Sequence, residues 1–168
     1  RTKFTRFDPD VGPCIGDGLS DLEKIEKDLT EDEATRAGQL LGQLLERELQ
    51  ELCENCESAV PFNRRNEYTL QPLMTSFRER LKDKLKDAHP AFPAAKALED
   101  ELMFRNWCAH WKNPSTPLTP DEISAVVEKW KKLSQQMRCI NSKCDGYVKY
   151  DRKSDFICRC GGLVLKKA

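Results

Sequence analysis

No apolar run in the 168-residue chain approaches the ~18 residues that a membrane-crossing helix needs. No short apolar stretch near the start reads as a secretory leader. Internal repeats are missing, and so is a glycine-rich nucleotide-binding loop. Net charge is missing too, because 28 Lys/Arg balance 28 Asp/Glu. Histidine is scarce at two residues, which makes the placement of each informative. No methionine opens the chain. A start at Arg1 is expected of a fragment of a longer polypeptide, or of a processed one.

What is present defines a folded protein. Charged residues reach 33% and apolar ones 39%, to which eight glycines add. That composition supports a core and excludes a wholly disordered chain. The length fits one medium domain, or a domain with a small module. The neutral total conceals an uneven distribution. Residues 129–168 hold eleven Lys/Arg and three Asp, a net +8, so the remainder carries −8. A basic C-terminal end can face a polyanion; a solvated lysine-rich face is the alternative.

Periodicity divides the chain. Residues 1–18, with two prolines and Gly16-Asp17-Gly18, show no sustained period and read as a linker or arm. A short helix follows, with Leu19, Leu22, Ile25 and Leu29 on one face. Thr30 and Glu33 match a capping box ahead of a long helix striped by Leu41, Leu44, Leu45, Leu49, Leu52, Cys53 and Cys56. Pro61 and a polar stretch end it. Thr69 opens the next helix, striped by Leu70, Leu73, Met74, Phe77, Leu81 and Leu85. A further helix is expected from near Ala94, carrying Leu98, Leu102, Arg105, Asn106 and His110. Thr119-Pro120-Asp121-Glu122 is a helix start, with an N-cap threonine, proline in the first position and glutamate at the third. Ile123, Val126, Val127, Trp130, Leu133 and Met137 form its buried face. The fold class expected is an all-α antiparallel helical bundle over residues 19–137. A small β module follows over 138–168, with short strands around 147–150, 156–157 and 163–165.

Eight cysteines invite a disulfide reading, but their placement points to an intracellular, reducing setting and a cytoplasmic protein. Cys139 and Cys144 enclose four residues, Cys158 and Cys160 enclose one, and thirteen separate the pairs. Two close thiol pairs are the usual way to give zinc its four tetrahedral ligands. Some thirty residues bury little core, so the metal would supply much of the folding energy. Disulfides and free thiols are the alternatives. The module resembles a zinc ribbon, although ribbons commonly place two residues within each pair. Structural zinc is the implied cofactor. A ribbon can bind nucleic acid through its lysines or serve as a cap. Cys53 and Cys56 continue an apolar stripe and read as core thiols. Cys108, between Arg105 and His110, reads as packing rather than as a nucleophile.

The stretch Arg105-Asn106-Trp107-Cys108-Ala109-His110 carries the chemistry. It resembles the Arg-x(4–6)-His motif of the HEPN superfamily, in which a polar residue often follows the arginine. The setting is similar as well, an α-helical domain with one more helix after the motif. The resemblance spans roughly residues 30–137. It implies an endoribonuclease with Arg105, Asn106 and His110 at its catalytic centre, homodimerisation at the active cleft, and a toxic effector role in antiviral or toxin systems. RNA, by analogy tRNA, is the implied substrate, and a sensor ATPase would lie upstream or on a partner. The chemistry agrees with the resemblance. Histidine relays protons near neutral pH, and arginine holds phosphate oxygens in pairs. Attack by the RNA's own 2′-OH needs no metal. On an unbroken helix Arg105 and His110 diverge by roughly 140°, so the helix distorts, it ends before His110, or a second subunit completes the site. Trp111 and Lys112 are candidate substrate contacts, for stacking and for phosphate; Trp107 and Trp111 can equally belong to the core. Alternative readings are a helix-end histidine cap, an Arg105–Glu101 pair, a non-catalytic nucleic-acid-binding and dimerisation module, or a protein-binding adaptor.

Overall fold

The computed structural model describes residues 4–8, 12–15, 19–61, 69–85, 89–104, 118–141, 143–144, 146–151 and 155–165. Five helices appear among them: α1 (Asp21–Thr30), α2 (Ala34–Asn55), α3 (Leu70–Leu85), α4 (Ala91–Phe104) and α5 (Pro120–Met137). A small three-stranded sheet follows, of β3 (Lys149–Tyr150), β4 (Phe156–Ile157) and β5 (Val164–Leu165). Ahead of them, within the stretch read as linker or arm, β1 (Phe4–Asp8) pairs antiparallel with β2 (Gly12–Ile15). The register shifts between Phe4 and Arg6, and Pro13 sits opposite Phe7. Proline is tolerated in such a ribbon because an edge strand leaves some N–H groups unpaired. That proline, with the irregular register, hides the strand period from a sequence reading.

Local chemistry sets the helix ends. The Ser20 hydroxyl accepts from the Glu23 amide, and the Glu23 carboxylate accepts from the Ser20 amide, closing a capping box on α1. The box expected at Thr30 and Glu33 does not form. Thr30 is the last residue of α1, and its hydroxyl donates to the Lys27 carbonyl, 2.7 Å away. A helical residue cannot take the extended backbone an N-cap needs. The chain turns instead at Asp32, whose φ of 61° lies in a region that aspartate tolerates better than most residues. Glu33 caps α2 without a side-chain bond. The buried Asp28 carboxylate meets Arg36 at 3.3 Å and so ties α1 to α2. At α5 the expected box is present, with Thr119 and Glu122 bonded reciprocally and Pro120 leading the helix. α4 starts at Ala91, three residues before the expected Ala94. Pro93 falls in its first turn, where a missing N–H costs no helical bond. His89 Nδ1 accepts from the Ala91 amide at 3.1 Å.

The apolar stripes meet as the periodicity requires. α1 lies on α2, α2 touches α3, α3 touches α4, α4 touches α5, and α5 returns to α2. Leu41, Leu45, Leu49, Leu73, Phe77, Leu98, Ile123 and Trp130 are all buried in the resulting core. Polar links reinforce the seams. Glu99 of α4 accepts from Thr75 of α3 and pairs with Arg78. Glu101 of α4 pairs with Lys129 of α5, and Glu26 of α1 meets Lys131 of α5 at 2.6 Å.

The C-terminal sheet runs in the order β3-β4-β5, all antiparallel. Tyr150, Phe156 and Leu165 lie side by side across the strands, and Lys149, Ile157 and Val164 form the alternate row. The first row faces inward. Phe156 and Leu165, together with Tyr147, Val148, Cys139 and Cys158, belong to the same continuous core as the helices.

Candidate metal centre

The module begins where α5 ends. Arg138 leaves the helix in extended conformation and bridges Tyr147, while the Val148 amide donates to the Met137 carbonyl. Between these points the chain folds into a knuckle. The Cys139 amide donates to the Gly146 carbonyl at 3.0 Å, and the Cys144 amide to the Asn141 carbonyl at 2.8 Å. A second knuckle joins β4 to β5. There the Cys158 amide donates to the Leu163 carbonyl at 3.0 Å, and the Gly161 amide to the Cys158 carbonyl at 2.9 Å. Gly161 has a φ of +73°, which glycine adopts without strain.

Together the knuckles deliver all four predicted cysteines to one point. The sulfurs of Cys139, Cys144, Cys158 and Cys160 lie within 4.8 Å of one another. Cys139 and Cys158 are 3.4 Å apart, and each stands 3.5 Å from Cys160. A tetrahedral zinc with Zn–S bonds of ~2.3 Å spaces its sulfurs by about 3.8 Å. The cluster therefore has the size and the donor set for a tetrahedral thiolate-bound metal ion.

The surroundings suit thiolates as well. Amides of Leu163, Gly162 and Asn141 point at the sulfurs of Cys158, Cys160 and Cys139, at 3.1, 3.4 and 3.5 Å. The Asn141 side-chain amide reaches toward Cys160. Such outer donors orient metal ligands and stabilise their charge. A Cβ on Gly162 would stand 3.2 Å from the Cys160 sulfur and 3.6 Å from that of Cys139. Glycine is needed there for close approach, whereas at Gly161 it is needed for φ. Against the desolvation of its site, the Leu163 amide and the neighbouring thiols pull Cys158 down to about 6. Cys139, although held by the Asn141 amide, is pushed up to about 12 by burial and by sharing its proton with the other thiols. Four sulfurs at this distance compete for protons, and a divalent cation relieves that competition by replacing them.

A polar clamp fixes the module to the helices. Glu48 of α2 accepts from Arg138 at 2.8 Å and from the Tyr147 hydroxyl. The Arg138 guanidinium also covers the Tyr147 ring at 4.5 Å. Burial and the Glu48 carboxylate hold the Tyr147 phenol well above its ordinary range. Across the module, Arg80 of α3 donates to the Cys56 carbonyl at 2.7 Å and stacks on Tyr150 at 4.4 Å. No spacing rule announces these contacts, since Glu48 and Tyr147 lie 99 residues apart. No spacing rule marks Asn141 either, although an amide side chain between two ligand cysteines is a usable signal.

The remaining candidates divide. Cys53 and Cys56 are buried core thiols, as expected, and burial raises them to about 11 and about 12. Arg105, Asn106, Trp107, Cys108, His110, Trp111 and Lys112 lie outside the described residues. Part of the basic end is internally neutralised, because Lys129, Lys131 and Arg138 all pair with helix carboxylates. No described helix is long and apolar enough to cross a membrane. The chain matches no protein-family model, no curated protein and no solved structure.

Proposed function

We propose that this chain is a metal-independent endoribonuclease of the HEPN type, in which an antiparallel helical bundle carries the catalytic motif and a zinc ribbon closes the C-terminal end. The observation that carries the reading is Arg105-Asn106-x-x-x-His110. Its place in the chain supports it: the motif follows Phe104, the last described residue of α4, and precedes α5, which begins at Pro120. α4 and α5, the described helices before and after it in the chain, touch.

In this mechanism His110 takes the proton from the RNA 2′-OH, or returns one to the departing 5′-oxygen. Arg105 holds the phosphate through paired hydrogen bonds and offsets the charge that develops on it. Asn106 orients the histidine or a phosphate oxygen. Trp111 and Lys112 contact the flanking nucleotides. A second copy completes the cleft, so the working unit is a homodimer. Zinc bound by Cys139, Cys144, Cys158 and Cys160 has a structural role. The biological setting proposed is a cytoplasmic toxic effector of antiviral defence or of a toxin system, with tRNA among the candidate targets and a sensor ATPase upstream or on a partner.

End-group analysis tests the chemistry. Wild-type protein should leave 2′,3′-cyclic phosphate and 5′-hydroxyl ends on RNA, spare DNA, and keep its activity in mild EDTA. His110→Ala and Arg105→Ala should each lower cleavage by about 10²–10⁴-fold with zinc content unchanged. Magnesium-dependent cleavage, 5′-phosphate products, or unaltered activity in His110→Ala would refute the mechanism. The exposed basic residues of the C-terminal module favour one second reading, a non-catalytic nucleic-acid-binding and dimerisation module. That reading predicts binding without cleavage.

A further inference from the structure

We propose that the outward face of the C-terminal sheet, with the knuckle tips beside it, is a binding surface for single-stranded RNA, built from residues other than the Arg105–His110 motif. The proposal rests on the RNA reading above for the identity of the polyanion. The surface itself follows from register, exposure and charge.

Register comes first. Lys149, Ile157 and Val164 are direct cross-strand neighbours. The alternate row of Tyr150, Phe156 and Leu165 faces the helices, so the Lys149 row faces away from them. Exposure is the second observation. Ile140 and Val164, at 90% and 42%, are the large hydrophobic residues that stand exposed among the described residues. Both belong to the module, while the helices bury their apolar stripes. Val164 lies in the outward row. Ile140 follows Cys139, whose sulfur touches that of Cys160 in the turn between β4 and β5.

Charge is the third. Lys129, Lys131 and Arg138 are engaged by carboxylates. Lys143, Lys149 and Arg159 are exposed, and their cationic groups form no ion pair among the described residues. Lys143 and Arg159 sit in the two knuckles, and Lys149 opens the strand that leaves the first one. The acidic residues Asp151 and Asp155 bracket the β3–β4 turn, at the opposite end of the sheet. The knuckle end thus combines cations with aliphatic side chains.

A flexible phosphodiester chain with unpaired bases matches that combination. Lysine and arginine neutralise phosphates and release counterions. Ile157 and Val164 offer an apolar bed for bases and riboses. A duplex hides its bases and would use only the cations. The surface therefore holds the strand, through residues other than those of the proposed cleavage chemistry.

The test is fluorescence anisotropy of a labelled single-stranded RNA with full-length, zinc-loaded His110→Ala protein, over a salt series. Substituting Lys149→Glu together with Arg159→Glu should weaken binding by about tenfold or more. It should also reduce the salt slope by about 1.4, since each phosphate contact to a single strand contributes about 0.7. Circular dichroism and zinc content should match the parent protein. Val164→Ser should weaken binding without changing the slope. Unchanged affinity and slope in the double variant would overturn the proposal, and so would failure of the parent protein to bind RNA. Cleavage by the wild type is scored separately. A chain that binds RNA through Lys149 and Arg159 but cleaves none keeps this surface and loses the nuclease. One that cleaves RNA and binds it equally well after both substitutions keeps the nuclease and loses the surface.

Discussion

Replacing Glu48 tests how firmly the cysteine module and the helices depend on each other. The Glu48 carboxylate is 12% exposed and accepts from Arg138 at 2.8 Å and from the Tyr147 hydroxyl. A hydrogen bond to a charged group is worth about 1.5–3 kcal/mol. Arg138 is 36% exposed, so water compensates part of its loss and its share falls toward the ~0–1 kcal/mol of a surface pair. Tyr147 is 4% exposed and has no such compensation. Glu48→Ala should therefore cost about 2–4 kcal/mol in denaturant unfolding. For a chain of this size that corresponds to a melting temperature lower by roughly 4–16 °C. Tyr147→Phe removes the buried arm of the clamp and should cost about 1.5–3 kcal/mol. The two substitutions should not add, because both break the same bond, and a double-mutant cycle should show coupling of about 0.5–3 kcal/mol. A Glu48→Ala protein within about 0.5 kcal/mol of wild type, or a cycle without coupling, would refute the clamp as a structural link.

The other predictions concern the metal and pH. Purified protein should carry one zinc per chain by elemental analysis, and Cys158→Ser should lose it; four freely titrating thiols without metal would remove the zinc assignment. Because Phe156, Tyr147 and Leu165 share the helical core, zinc loss should also lower the melting temperature of the helices, read by far-UV circular dichroism. His89 is held below its ordinary value of about 6.5 by burial. Its depressed folded pKa means that the unfolded chain takes up the proton more readily, so the stability this residue contributes is present above pH ~6.5 and is lost as pH falls through its folded value. His89→Gln should show a smaller fall in unfolding free energy between pH 7 and pH 5.5 than wild type, and an identical pH dependence in the two proteins would count against it.

The elements that the sequence determined by itself are those with local causes. The stripes from Leu41 to Cys53, from Leu70 to Leu85 and from Ile123 to Met137 repeat at the helical period, and each is buried as that period requires. The Thr119–Glu122 box is specified by four consecutive residues, and the four cysteines by spacings within two short turns. Local rules fail where two of them compete. Thr30 and Glu33 match a cap, but α1 continues through Thr30 because its own bonds and the buried Ile25 and Asp28 extend that far. Only the tertiary structure decided how the halves join. Glu48 on Tyr147 and Arg138, and Arg80 on Tyr150, link residues remote in the chain, and such pairs leave no periodic trace. It also decided which cations of the basic end remain available: the helix carboxylates that neutralise Lys129, Lys131 and Arg138 come from elements packed beside them. Charge and apolar period are properties of the sequence, whereas partnership is a property of distance, and distance is set by the fold.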